Sequence, residues 1–281
     1  MKTILVPTDF SKCAYVAAHF AVELAKITKS KIILLNTFQI PMPPPESFVT
    51  PISFTDLQEE SLKQLKNMAD IELRTNKEYA ELEIEYEAVM GSTVSGIIDA
   101  AKRYDAGMVI MGTQGASGMI KEIILGSNTA SLIAKAPCPI FAIPENAKFS
   151  GLKKIIFAID FHEIKNDSVL NPLKELGLLF DSEIDIFSII TKQEQKAFME
   201  KEIERINSIK IFEHISHSFH IILNEDIQLA IDNYVKETNA DILVTMPQKH
   251  NFLELLFNKS ITRQLAFHVK IPLLCLPLHS D

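Results

Sequence analysis

Short apolar runs alternate with amphipathic stretches through the first half of the chain. Four of these runs, typical of strands buried on both faces, cover residues 3–7, 31–35, 108–111 and 139–143. Residues 81–89 (ELEIEYEAV) instead alternate polar and apolar positions, which predicts a strand with one wet face at a sheet edge. Helical spacing predicts helices at about 12–27, 55–76, 95–104 and 127–135. Strands alternating with helices indicate an α/β fold with a parallel, doubly wound sheet.

The second half of the chain repeats the first. Residues 4–10 (ILVPTDF) return as 155–161 (IIFAIDF), and 129–144 return as 262–277 with their prolines in register. A period of about half the chain indicates a duplicated domain rather than a solenoid. We therefore expect two tandem Rossmann-like domains over 1–146 and 152–281, each a five-stranded parallel sheet with helices on both faces. The predicted strands of the second lie near 155–159, 184–190, 218–223, 241–246 and 272–276, and its helices near 167–180, 193–209, 226–238 and 260–269.

Glycines distinguish the two halves. Four of them follow the fourth strand of the first half: Gly112, Gly115, Gly118 and Gly126. Ser127 and Asn128 then open a helix, and backbone N–H groups at a helix start suit a phosphate group. The matching segment 246–250 of the second half reads MPQKH. We expect one half to bind a phosphate-bearing ligand and the other to lack the means, while the alternative that the glycines serve only tight turns stays open.

The charge balance narrows the classes of partner. A net charge of −8 offers no basic footprint for DNA or RNA. No apolar stretch reaches the length of a membrane span, and no signal-peptide pattern opens the sequence, so we expect a cytoplasmic protein without membrane contacts. Cys13, Cys138 and Cys275 fit neither a disulfide framework nor a metal site, and we interpret them as reduced, buried thiols.

The sequence contains no catalytic constellation. No Ser/His/Asp order, metal-ligand spacing or general base beside a nucleophile emerges. His214, His217 and His220 (HISHSFH) invite a metal hypothesis, but strand alternation points His217 away from the other two. We favour the interpretation that these histidines are exposed to solvent at the start of a strand over a zinc site. We therefore predict a protein that is not an enzyme and binds no metal through its side chains.

Three separated motifs carry a resemblance to a known family. They are PTDFS at 7–11, MGTQG at 111–115 and LGSN at 125–128. In this order and on these elements they resemble the universal stress protein family, over nearly all of 1–145 and more faintly over 152–278. The resemblance implies a tandem member with a role in stress response. In nucleotide-binding members ATP lies across the carboxyl ends of the strands, where the strand order reverses.

The resemblance also implies a set of ligand contacts. It places Thr8, Asp9 and the backbone at Thr37 around adenine and ribose, and Met111 and Gly112 at the ribose. It places Gly115, Gly126, Ser127 and Asn128 at the phosphates. The implied cofactor is ATP, alone or with Mg²⁺. Ten residues separate Gly115 from Gly126, where the family signature has nine. Asp9 also stands where a helix cap is expected and returns as Asp160, so a purely structural role for Asp9 stays open.

The final strands of the two halves are suited to pair with each other. Residues 139–143 and 272–276 are apolar, and single-domain members of the family dimerise through this strand. We expect an intramolecular pseudo-dimer, with a homodimer left open, in which the C-terminal domain is the packing partner. The alternative is an interaction or scaffold module with both sites closed. An enzyme of nucleotide α-phosphate chemistry is disfavoured, because Pro7, Thr8 and Asp9 replace a Ser-Gly-Gly loop, and weak ATPase activity is left open.

Overall fold

A computed structural model of the chain describes residues 3–40, 53–73, 77–113, 127–159, 167–190, 210–246 and 271–277. The strands of this part are β1 Thr3–Pro7, β2 Lys31–Phe38, β3 Ile84–Met90, β4 Met108–Gly112, β5 Ile140–Ile143, β6 Lys154–Ala158, β7 Glu183–Ile190, β8 Ser216–Leu223, β9 Ile242–Thr245 and β10 Leu273–Cys275. Its α-helices are α1 Lys12–Thr28, α2 Phe54–Asn67, α3 Thr93–Arg103, α4 Ser127–Ile133, α5 Asn171–Phe180 and α6 Ile227–Thr238. None of these helices is long and apolar enough to cross a membrane.

All described strands lie in a single sheet of the order β3-β2-β1-β4-β5-β10-β9-β6-β7-β8. Read outward from the centre, the two halves have the same strand order. Every neighbouring pair is parallel except β5 and β10, which run antiparallel with Leu274 opposite Phe141. The predicted α/β class with a mostly parallel sheet is confirmed, and the final strands of the two halves pair as expected. The domain division at 146 and 152 stays a prediction.

The burial of each strand follows its sequence pattern. β1 and β4 are buried almost throughout, since helices cover both faces of the sheet. β3 begins at Ile84 rather than at residue 81, and its Ile84 and Ala88 are buried, whereas Tyr86 between them is exposed. Among the described strands β3 pairs only with β2, so the predicted edge strand is confirmed. Lys31 of β2 bridges to Glu83 and Glu85 there, which keeps this edge charged.

Helix boundaries differ from the sequence prediction at two places. The helix predicted to reach residue 76 ends at Asn67 and continues as a π-helical segment, Met68–Leu73. In this wider turn Met68, Ala69 and Leu73 are all buried. The helix predicted over 167–180 begins with a 3₁₀ turn, and α5 follows with Pro172 in its first turn, where proline fits. The helices predicted at 193–209 and 260–269 lie outside the described residues.

Helices on the two faces of the sheet cover two apolar cores. α1, α2 and α5 pack on one face, and α3, α4 and α6 pack on the other. An aromatic row joins the halves on the first face: the rings of Phe20 and Phe149 are 5.0 Å apart, and those of Phe149 and Phe180 are 6.1 Å apart. Each core cluster contains residues from both halves. The packing between the halves is therefore continuous with the packing within them.

Candidate functional site

A cavity of about 190 Å³ opens at the carboxyl ends of β1, β2 and β4. β1 lies between β2 and β4, so the cavity stands where the strand order reverses, the usual ligand position in open α/β sheets. The described residues that line it are Pro7, Thr8, Asp9, Ala14, Leu35, Thr37, Thr93, Ile97, Met111, Gly112, Ser127, Asn128 and Thr129.

The structure brings most of the sequence-predicted site residues to this one cavity. Those that line it are Thr8, Asp9, Thr37, Met111, Gly112, Ser127 and Asn128. They come from four separate stretches of the chain. Gly115 and Gly126 lie outside the described residues, as does the segment between them. The residues that the motifs singled out on three different elements are therefore neighbours in space.

The turn between β1 and α1 is held by hydrogen bonds on every side of Thr8. Its N–H donates to the carbonyl of Leu35 (2.8 Å), and its own carbonyl accepts from Nδ2 of Asn36 (2.7 Å). Its hydroxyl accepts from the N–H of Phe10 (3.0 Å). Phe10 has φ 60°, a left-handed conformation that an aromatic residue rarely adopts. Such strain persists where the surroundings over-determine the backbone, as they do here.

Asp9 has a local structural role and also an exposed position. Its Oδ1 accepts from the N–H of Ser11 (3.1 Å), which closes the turn. The cap of α1 is Ser11, whose hydroxyl accepts from the N–H of Ala14 (3.3 Å). Asp9 stands where the sequence leads us to expect a cap, but the structure assigns the cap of α1 to Ser11. The exposed Asp9 carboxylate stands at the mouth of the cavity.

The opposite wall combines an apolar surface with hydroxyl groups. Leu35, Ile97 and Met111 line the cavity with apolar side chains. The hydroxyl of Thr37 donates to that of Thr93 (3.0 Å), which ties the end of β2 to the start of α3. An apolar surface beside a few placed polar groups is the usual composition of a small-molecule site.

Sequence reasoning missed Thr93 and Ile97. Both belong to α3, the helix that follows β3. The sequence predicted the β3 strand, so its carboxyl end could have indicated that the residues after it lie near the site. A threonine that follows a strand end, as Thr8 does, faces the same edge of a parallel sheet. What the sequence does not show is that α3 packs close enough to β2 for Thr93 to reach Thr37.

Comparisons with known proteins identify the family of the chain. The model of the universal stress protein family matches residues 1–144. The chain belongs to that family. Universal stress protein Sll1654 of Synechocystis is 30% identical over 143 residues, a match covering 51% of this chain and 85% of that protein. Universal stress protein MJ0531 of Methanocaldococcus jannaschii is 28% identical over 152 residues, covering 52% and 84%.

A solved structure extends the likeness to the second half. The crystal structure of a universal stress protein from Archaeoglobus fulgidus matches 99% of this chain and 98% of its own, with a TM-score of 0.71 and 17% identity. At this identity the likeness shows the fold alone. The sequence similarity to the family therefore covers the first half of the chain, whereas the similarity in fold covers both halves.

In this family member Gly112 is fixed by packing as well as by its place in the cavity. A Cβ at Gly112 would lie 2.8 Å from Sγ of Cys13 and 3.0 Å from its carbonyl carbon. Real Cβ atoms do not approach so closely, so the first turn of α1 requires glycine here. The Gly112 carbonyl accepts from the hydroxyl of Thr129 (3.2 Å), which ties the end of β4 to α4.

We expect Gly112→Ala to lower the free energy of unfolding by about 1–3 kcal/mol, since overpacking a tight contact forces backbone to move. Urea or thermal unfolding measures it. Gly91→Ala is the contrasting variant: nothing lies within 4 Å of its Cβ position, and its loss would come from a φ of 147° alone. A Gly112→Ala variant as stable as the wild type would show that α1 yields freely.

The cavity is poor in charge. Asp9 is the sole charged residue among the described residues that line it. Lys12, in the first turn of α1, pairs with Glu145 (Nζ–Oε1 2.7 Å), and this hydrogen bond raises the pKa of the lysine. The described walls thus offer hydroxyl, amide and backbone groups to a ligand rather than cations.

The described histidines and cysteines do not line the cavity. His217 Nδ1 contacts the Ile215 carbonyl (2.8 Å), and His220 Nε2 pairs with Asp185 (3.2 Å). No group of three metal-ligating side chains occurs in the described ranges. The three cysteines are free and buried, as predicted. Burial raises the pKa of Cys138 to about 12 and that of Cys275 as well, so these thiols stay protonated.

Proposed function

We propose that the N-terminal half binds an adenine nucleotide, ATP, in the cavity at the carboxyl ends of β1, β2 and β4. The observation that carries the proposal is the convergence of residues from four separate stretches of the chain on one cavity. They are the residues that the family resemblance assigns to ATP. The family gives the setting, a stress-response protein.

The cavity offers a suitable surface to each part of the ligand. The apolar side chains of Leu35, Ile97 and Met111 suit the flat face of adenine. The Asp9 carboxylate suits ribose hydroxyls, as an acidic side chain does in other doubly wound nucleotide sites. Ser127 and Asn128, both exposed at the cavity, supply hydroxyl and amide groups for phosphates, and Gly115 and Gly126 would complete that end. Mg²⁺, where it accompanies ATP, would be held through phosphate oxygens.

We infer binding rather than catalysis. Phosphoryl transfer needs a positioned nucleophile and stabilisation of the charge that develops on the phosphoryl group. The described cavity walls carry no cation and no base paired with a nucleophile. Groups that hold ATP and its transition state equally give affinity without rate, which suits a sensor or switch. The C-terminal half contributes β10, which pairs with the edge of β5, and serves as the packing partner of the N-terminal half.

We expect one ATP site per chain. The purified protein is denatured and its supernatant assayed for ATP, ADP and AMP, and the ligand-free protein is titrated with ATP by calorimetry. Asn128→Asp places a negative charge at the phosphate end without changing side-chain size, and it should weaken binding at least about tenfold. Asn224→Asp is the matched control, since Asn224 follows β8 outside the cavity and the same charge change there should leave affinity unchanged.

Other outcomes separate the alternatives. A protein that carries no nucleotide and does not bind millimolar ATP would favour the alternative, an interaction module with closed sites. Two equal sites per chain would contradict the asymmetry that the glycines predict. An equal loss of ATP affinity in Asn128→Asp and Asn224→Asp would show that the net charge of the protein, and not a contact in the cavity, determines the affinity.

A further inference from the structure

A buried chain of hydrogen bonds links helix α2 to the cavity. The hydroxyl of Ser61 donates to Oδ1 of Asn36 (2.7 Å), and Nδ2 of Asn36 donates to the carbonyl of Thr8 (2.7 Å). Ser61, Asn36 and Thr8 are 6%, 8% and 6% exposed. Thr8 lines the cavity, whereas Ser61 and Asn36 do not.

This link runs from the face of the sheet that α2 covers to a residue that lines the cavity. Leu35 and Thr37 of β2 line the cavity on the face covered by α3. Asn36 stands between them in the strand and therefore points to the opposite face, where α2 packs. Its acceptor Oδ1 bonds to α2 and its donor Nδ2 bonds to the turn after β1, so one side chain joins a helix to the carbonyl of a residue that lines the cavity. Asn36 interrupts an otherwise apolar strand interior, and a buried amide is stable only when it is hydrogen-bonded.

Ser61 is the buried polar residue through which α2 contacts the protein interior. In this helix Ser61 and Leu65 are the buried residues, while the charged side chains of Glu59, Glu60 and Lys66 are exposed. A shift of α2 would pull on Asn36 and, through it, on the Thr8 peptide. Thr8 is also held through its N–H, which donates to the Leu35 carbonyl, and Phe10, two residues further on, has a strained backbone. The turn therefore has one well-defined conformation, which a shift of α2 would disturb.

We propose that Ser61 and Asn36 are positioning residues that set the Thr8 backbone for the ligand and couple α2 to occupancy of the cavity. The coupling part rests on the proposed nucleotide function. Coupling is reciprocal: if the position of α2 changes the affinity for ATP, bound ATP stabilises α2 by the same factor.

The chain of hydrogen bonds from Ser61 through Asn36 to Thr8 is called the relay below. Ser61→Ala tests the relay, and Ser53→Ala is its matched control. Ser61→Ala removes one hydroxyl and leaves Oδ1 of Asn36 without its α2 donor, which should weaken ATP binding about three- to tenfold. Ser53 is the N-cap of the same helix, and its hydroxyl accepts from the N–H of Asp56 (3.2 Å). Ser53→Ala therefore destabilises α2 without touching the relay, and affinity should stay within about twofold.

Hydrogen exchange reads the coupling directly. ATP should slow amide exchange in α2 of the wild type and of Ser53→Ala, and should fail to do so in Ser61→Ala. Slowing that persists in Ser61→Ala, with wild-type affinity, would overturn the proposal. If Ser61→Ala does not fold, Asn36→Leu is measured in the same way, because it removes both bonds at the middle of the chain while keeping the branching and the number of side-chain heavy atoms.

A ligand-free readout separates this inference from the proposed function. In amide NMR spectra without nucleotide, Ser61→Ala should shift the resonances of Thr8 and Asp9, and Ser53→Ala should leave them in place. A wild type that binds no ATP overturns the proposed function, and the NMR comparison then still decides whether the relay positions Thr8. Unshifted Thr8 and Asp9 resonances in Ser61→Ala would reject the positioning role whatever the calorimetry shows.

Discussion

Residues 1–148 expressed alone will form dimers or aggregates rather than a stable monomer. In the full chain β5 lies between β4 and β10, with Ala142, Phe141 and Ile140 opposite Leu273, Leu274 and Cys275. Removing the second half leaves an apolar strand with unpaired backbone groups, which is a template for pairing with another chain. Phe20 also loses Phe149, whose ring lies 5.0 Å from its own. Sedimentation velocity measures the outcome.

A stable monomer of 1–148 at micromolar concentration would contradict this prediction. The full chain offers a matched pair of variants that tests the same contact without truncation. Leu274 is fully buried opposite Phe141, so Leu274→Asp buries a charge there and should lower the free energy of unfolding by about 4 kcal/mol or more. Leu178 of α5 is 48% exposed, and Leu178→Asp should change it by less than about 1 kcal/mol.

Much of the fold could be predicted because its signals are local. Strands buried on both faces read as continuous apolar runs, so β1, β2, β4 and β5 were visible in the sequence. The pairing of β5 with β10 followed from their shared apolar character and the family resemblance. The π-helical segment after α2 was not visible, because a widened turn depends on how Met68 and Ala69 meet the core rather than on their spacing.

The candidate site was predicted as far as motifs mark it. The sequence named Thr8 and Gly112, but it could not show that Gly112 is required by contact with Cys13, nearly a hundred positions earlier. The relay from Ser61 to Asn36 was invisible for the same reason, since neither residue stands in a motif. Contacts between residues distant in sequence are set by packing, which periodicity does not encode.

Asp185 illustrates the same limit in the second half. It is an acidic residue inside a predicted buried strand, and nothing local indicates how its burial is compensated. The hydroxyls of Tyr234 (2.6 Å) and Ser218 (3.2 Å) donate to its carboxylate, and Nε2 of His220 lies 3.2 Å from its Oδ1. Burial and the hydrogen bond to Asp185 raise the pKa of Tyr234, so its proton stays on the phenol. The histidine that suggested a metal site in the sequence is thus a partner of a buried carboxylate.

Asp9→Asn will separate the ligand role of Asp9 from its structural role. Asparagine keeps an oxygen that can accept from the Ser11 N–H, so the turn that Asp9 closes at 3.1 Å should survive and the melting temperature should change little. Hydrogen bonds to a charged acceptor are about twice as strong as those to a neutral one. If the carboxylate contacts ATP, affinity should fall about tenfold. Calorimetric titration and thermal unfolding of the same samples give both numbers.

Ser11→Ala should give the opposite pattern. It removes the hydroxyl that caps α1 at the Ala14 N–H, which should lower stability by about 1 kcal/mol. Ser11 does not line the cavity, so ATP affinity should remain near that of the wild type. The two substituted residues are two positions apart, but Asp9→Asn should change ATP affinity and Ser11→Ala should change stability. The pair is therefore more informative than either variant alone. Unchanged affinity in Asp9→Asn would show that Asp9 is a turn residue, and the ribose contact would then have to come from the backbone around Thr8 and Met111.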